Sequence, residues 1–165
     1  MLGLDAGELK ESFTFGVNEI VMTMLCALSG IMHKKKRDIL YFIFVTGFAS
    51  IIPDIYAYYL MQRQKNDSVQ KAMMKTLPLM MAEMISTTLI SMPLLFFNNK
   101  HMRFYAAIGV GLILICVSSY LNKEKNESWQ HLIEPIVVTI IGVILAFFIT
   151  SGGDKYLMPF VDRYI

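Results

Sequence analysis

Long apolar runs alternate with short polar islands along this chain. Five runs stand out: Phe13–Met32, Ile39–Met61, Leu77–Phe97, Phe104–Leu121 and Leu132–Thr150. The hydrocarbon core of a bilayer is about 30 Å thick, and a helix crosses it in roughly 20 residues. Each run fits that length. In lipid the backbone must satisfy its own hydrogen bonds, so such runs become helices. The pattern predicts an all-α integral membrane bundle of five transmembrane helices, forming a single domain over residues 1–165.

The islands at 33–38, 62–76, 98–103 and 122–131 are too short for a soluble domain. The 62–76 island is expected to extend its flanking helices by a turn or two. Ser151, Gly152 and Gly153 read as a helix stop. The mixed segment Tyr156–Ile165 is expected to lie along the membrane interface. No internal repeat is visible, which argues against an inverted-repeat transporter. Met1–Ser12 is acidic and lacks a basic n-region, so the first run reads as an uncleaved anchor.

Composition agrees with the pattern. The chain is 55% hydrophobic and 17% charged, too little charge to cover a soluble domain of this size. A net charge of +2 points to no nucleic-acid partner. The basic run His33–Arg37 reads as a membrane-flanking anchor for anionic headgroups. Cys26 and Cys116 lie inside apolar runs and read as packing residues, not a disulfide. Lysine and arginine divide 7 against 8 between the two ends of an alternating bundle, so charge bias sets no orientation. Asn66–Ser68 and Asn126–Ser128 have the form of glycosylation acceptors, a tripeptide that arises often by chance.

Ionisable residues in spanning helices mark function by default. Four acids fall in the runs: Glu19, Asp54, Glu83 and Glu134. No lysine or arginine lies in any run to pair with them. Four such carboxylates point to a cation, either a metal ion or protons. Glu19 and Glu134 also have a plainer reading as helix-end carboxylates, Glu134 at a helix N-terminus just before Pro135.

Helical spacing places Met22, Thr23 and Cys26 on the face of Glu19. It places Ser50, Tyr58 and Met61 on that of Asp54, and Met80, Ser86, Thr87 and Ile90 on that of Glu83. Carboxylate with thioether is a reasonable ligand set for Fe²⁺ or Mn²⁺. The 13 methionines, five of them between Met73 and Met84, read equally as flexible packing. His33, His101 and His131 sit at helix ends without ligand spacing. Pro53 removes the hydrogen bond to the Ala49 carbonyl, and the freed oxygen is a candidate extra ligand beside Asp54. The alternative is a kink used for packing only.

The stretch Phe15–Met24 resembles the first-helix phrase "FGxxDGxxTT" of the vacuolar iron transporter family. Pro53–Tyr59 resembles that family's second-helix motif, of the form "SDAxxxY", at matching spacing. The five-helix plan, the long second helix and an acid opening the last helix, Glu134, are similar too. The resemblance implies a homodimer that exports Fe²⁺ or Mn²⁺ from the cytosol into a vacuole-like compartment in exchange for protons. Its path would run between subunits, lined by the first two helices. Glu19 would take the place of the family's first-helix aspartate, and Asp54 a second-helix ligand position. Ile20 stands where the family has glycine, and Tyr58 where many members carry a carboxylate. The 62–76 island is far shorter than the Glu- and Met-rich metal-binding segment of plant-type members.

The expected function is therefore divalent metal transport, with Glu19, Asp54, Met22, Glu83, Glu134 and Tyr58 as candidate metal ligands. The metal is cargo and no resident cofactor is expected, nor any enzymatic activity. A passive cation or proton pore would use the same carboxylates. A non-transporting scaffold would hold them protonated and packed.

Overall fold

The computed structural model describes residues 5–122 and 130–152, with side chains for 5–122 and 133–150. Tyr156–Ile165, Asn126–Ser128 and the His131 side chain lie outside the described residues. Five helices follow one another: α1 (Ala6–Ile31), α2 (Lys36–Gln64), α3 (Val69–Phe96), α4 (Lys100–Asn122) and α5 (Gln130–Gly152). All are long and apolar enough to cross a membrane. The chain is an integral membrane protein with an all-α, five-helix architecture.

Each helix contains its predicted run almost whole and extends beyond it in polar sequence. Local chemistry sets the new ends. Asp5 opens α1, where its backbone N–H donates to Glu8 Oε2 at 3.4 Å in a capping box. Ser68 Oγ accepts from the Lys71 N–H at 3.2 Å and opens α3 well before its apolar run. Asn99 Oδ1 accepts from the His101 N–H at 2.9 Å at the start of α4. Asn66, at φ 65°, makes the reversal between α2 and α3. Asparagine enters that backbone region more readily than most residues. The expected linker 62–76 is thus a tight turn flanked by helix.

The helices run alternately up and down. Glu8, Tyr58 and Lys71 meet at the end where α1 starts; Lys36 bonds the Leu95 carbonyl at the opposite end. α1 is the central helix and packs against all four others. Its Val17, Ile20, Val21, Met24, Leu25 and Leu28 are all buried in the core. Close approach explains two glycines. A Cβ on Gly47 would lie 2.6 Å from Thr87 Cγ2 and 2.8 Å from Met24 Sδ, so α2 meets α3 and α1 there without room for a methyl. A Cβ on Gly16 would lie 2.8 Å from the Leu79 carbonyl oxygen of α3. In lipid, where apolar burial drives helices together little, such contacts supply the association.

The inward face of α2 runs through Ile43, Gly47, Ile51, Asp54, Tyr58 and Gln62. Its outward face carries Tyr41, Phe42, Val45, Phe48, Ile52 and Tyr56, all exposed. Helix α2 continues through Pro53. Ala49 and Pro53 both lie on the exposed side, away from the inward line of Asp54 and Tyr58. The two residues on either side of the hydrogen bond that Pro53 removes are thus exposed. Prolines 78 and 93 likewise lie inside a continuous α3.

Candidate functional site: buried carboxylates between three helices

Helix α3 lies between α1 and α2 and carries Glu83 at its centre. Glu83 is fully buried, at 0% exposure. Neither carboxylate oxygen has a hydrogen-bond partner among the described residues. The hydroxyls of Ser86 and Thr87, one turn further along the same helix, are also buried without partners. Most serine and threonine hydroxyls in these helices bond a carbonyl of the preceding turn. Ser91 does so, donating to the Thr87 carbonyl at 2.7 Å. Glu83, Ser86 and Thr87 thus form a buried polar pocket with unused hydrogen-bonding capacity.

Two further carboxylates face this pocket. Asp54 on α2 and Glu19 on α1 are half-buried, and both lie within electrostatic reach of Glu83 and of each other. α1 and α2 each pack more closely on α3 than on one another, so Glu83 on α3 lies between the helices that carry Glu19 and Asp54. No lysine or arginine is among the groups acting on these three acids. Buried carboxylates normally have paired cations or several N–H donors. These have neither.

The remaining predicted residues divide. Tyr58, one turn beyond Asp54, is buried, and its hydroxyl shares a 2.6 Å hydrogen bond with Ser12 Oγ. Its ring packs on Phe15, with centroids 5.3 Å apart. Met22 is half-buried on the Glu19 face of α1. Glu134 stands apart: it is exposed on α5 and is not among the charges acting on the other three acids. Among the described residues no three histidine, cysteine, aspartate or glutamate side chains converge at metal-binding distance.

Sequence reasoning passed over a second polar cluster, at the end of the bundle where α1 starts. Lys75 is buried, at 6% exposure. Its Nζ lies 2.6 Å from Asp67 Oδ2, 2.9 Å from Glu8 Oε1 and 3.1 Å from Gln62 Oε1. Lys71 Nζ shares Glu8 Oε1 at 2.8 Å. The Asp67 carboxyl is held below its ordinary range, first by the Lys75 hydrogen bond and then by the charges of Lys75 and Lys71. Gln62 and Tyr58, on the α2 face that also carries Asp54, link this ion cluster to the carboxylate pocket. The available signal was the spacing of Lys71 and Lys75, one helical turn apart and opposite the acidic N-terminus.

Comparison with family models, curated proteins and solved structures gives no match.

Proposed function

We propose that this protein carries cations across a membrane through a shared carboxylate site made by Glu19, Asp54 and Glu83. The cargo is a divalent metal ion, Fe²⁺ or Mn²⁺, and protons are the exchanging ions. Glu83 carries this reading: a carboxylate placed in a spanning helix, fully buried, with both oxygens unpartnered and two more carboxylates nearby. A lone charge there is costly. Protons neutralise the cluster when it is empty, and a divalent cation displaces them when it loads. Glu19 and Asp54, half-exposed where Glu83 is buried, are the entry ligands. Glu134 has no part in it. The internal, vacuole-like membrane implied by the motif resemblance belongs to the same proposal.

The purified protein in proteoliposomes is expected to take up Fe²⁺ or Mn²⁺ saturably and to move protons the opposite way. Paired metal-sensitive and pH-sensitive dyes read both fluxes. Proton flux without any metal flux would support the second reading, a proton pathway. That reading is favoured by the absence of converging metal ligands among the described residues. Absence of both fluxes would leave only the scaffold.

A homodimer completes the proposal. Glu19 and Asp54 are half-exposed, an unfavourable setting against lipid. A second copy packed along the edge of α2 next to Asp54 would cover them. The first two helices, α1 and α2, would line this interface. With Cys26 and Cys116 replaced by serine, Ala57→Cys, exposed on the Asp54 side of α2, should crosslink into dimers in membranes. Ile149→Cys on α5, also exposed, should not. Dimers trapped only through α5 would place the interface elsewhere.

A further inference from the structure

The three helices that carry the carboxylates close differently on the two sides of Glu83. Toward the end where α1 starts, a line of polar groups is buried between them: Ser12 of α1, Tyr58 and Gln62 of α2, and Lys75 of α3. Toward the opposite end the buried line is apolar, through Leu28, Ile39, Ile43, Ile90 and Leu94. The serines buried on that side, Ser29 and Ser91, turn their hydroxyls to carbonyls of their own helices. The helices also meet closely there, since a Cβ on Gly47 would lie 2.6 Å from Thr87 Cγ2 and 2.8 Å from Met24 Sδ. Arg103 of α4 is buried at the same end, with its Nη1 unpartnered among the described residues. An apolar constriction and an uncompensated guanidinium both oppose the passage of a cation.

The polar line is one hydrogen-bonded chain across three helices. Ser12 Oγ donates to the Glu8 carbonyl at 2.8 Å, which uses its only proton. The Tyr58 hydroxyl is therefore the donor in its 2.6 Å bond to Ser12. Gln62, one turn on, acts on the same hydroxyl, and its Oε1 accepts from Lys75 Nζ at 3.1 Å. Unlike Arg103, Lys75 is compensated, by the carboxylates of Glu8 and Asp67. Apolar residues would join the helices here with less desolvation. Hydrogen-bonded groups have a property that apolar packing lacks: each bond between them can be exchanged for one to water at little enthalpic cost.

We propose that water and cations reach the carboxylate site from the end where α1 starts, through a gate made by Ser12, Tyr58, Gln62 and Lys75 that stands closed in this conformation. The inference rests on the cation-transport reading and adds its side of entry. Opening exchanges the Ser12–Tyr58 and Gln62–Lys75 bonds for bonds to water, while the contact around Gly47 beyond Glu83 holds. Tyr58 is then a gating residue and not a ligand, its hydroxyl being engaged by Ser12.

Water access can be read without any cargo. Two reporters are introduced one at a time, with Cys26 and Cys116 replaced by serine: Ser86→Cys, one turn from Glu83, and Ser91→Cys, one turn beyond Thr87. Both positions are buried on α3. Detergent-purified protein is treated with a trimethylammonium methanethiosulfonate, and the labelling rate is followed by intact mass. Tyr58→Phe keeps the ring on Phe15 and removes one hydrogen bond. It is expected to speed labelling of Ser86→Cys about fivefold. Ser12→Ala should do the same, and the two together no more than either alone, because all three remove the same bond. Labelling of Ser91→Cys should stay within about twofold, less than the loss of one hydrogen bond at the gate produces. Equal acceleration at both reporters would overturn the gate, since the whole bundle would then have loosened. Acceleration at Ser91→Cys alone would put entry at the opposite end. An unchanged Ser86→Cys rate in both variants would also overturn the gate, even if the proteoliposomes carry cations. Faster Ser86→Cys labelling in a protein that carries none would uphold the gate and overturn the transport reading.

Discussion

Replacing Glu83 by glutamine is expected to reduce cation flux in proteoliposomes by about tenfold or more, a loss of at least ~1.4 kcal/mol. The same change is expected to leave the folded protein as stable as before, or more so. The two expectations have one cause. Glutamine keeps the size of glutamate and most of its hydrogen-bonding capacity, but removes a charge that no described group compensates. Folding loses the cost of burying a carboxyl that must take up a proton to be neutral, while transport loses the group that binds the ion at the deepest point of the path. Glu134→Gln is the matched control. It removes a carboxylate from a spanning helix too, but an exposed one on α5 that faces no part of the cluster. Its flux should match the unaltered protein. Flux through Glu83→Gln indistinguishable from the unaltered protein would remove Glu83 from the pathway. It would return that residue to the role of a packed, protonated acid in a scaffold.

The contrast between Glu83 and Glu134 also marks what can be read from the sequence. All four acids are visible as charges within apolar runs, and the five runs themselves foretell the five helices. Helical spacing puts Ser86 and Thr87 beside Glu83, as observed. It cannot tell which acids share a centre, because that depends on which helices are neighbours. α1 is central and α5 peripheral, so Glu19 joins the cluster and Glu134 does not. Apolar runs also understate helix length, because a helix need not stop where its apolar residues do. Ser68 as a cap and Lys75 as an ion-pair partner let polar sequence continue the helix. Arg103, one residue before its apolar run, looks like a flanking anchor for the same reason. Its burial follows from the small neighbours Ala107 and Gly111 on the same face of α4, which bring the helix close to its partners. Polar residues just outside a run look solvated in the sequence. Here two of them, Lys75 and Arg103, are among the most buried cations in the described structure.

Lys75 should therefore matter to folding more than its place in a linker implies. Lys75→Met is expected to destabilise the protein by about 1–3 kcal/mol, because it removes the buried cation shared by two partly exposed carboxylates and leaves them only Lys71. Methionine fills much the same volume, so lost packing is a small part of that cost. What is lost is the cation that Glu8, Asp67 and Gln62 all contact. Lys71 reaches Glu8 and Asp67 as well, but from a more exposed position, and replaces Lys75 only in part. The pH dependence separates an ion-pair effect from a packing effect. The folded-state pKa of Asp67 is lowered from 3.8, chiefly by the Lys75 hydrogen bond. A lowered folded pKa contributes stability that is fully present above the unfolded value and is lost as pH falls through the folded one. Unaltered protein should thus lose stability on acidification from about pH 4 downward as Asp67 takes up a proton. Lys75→Met should show a shallower loss over the same range, since its Asp67 has less to lose. Thermal unfolding in detergent from about pH 7 to about pH 3 reads both curves across that window. Parallel curves, merely offset, would mean that Lys75 stabilises the helix ends by packing alone and that its ion pairs contribute nothing net.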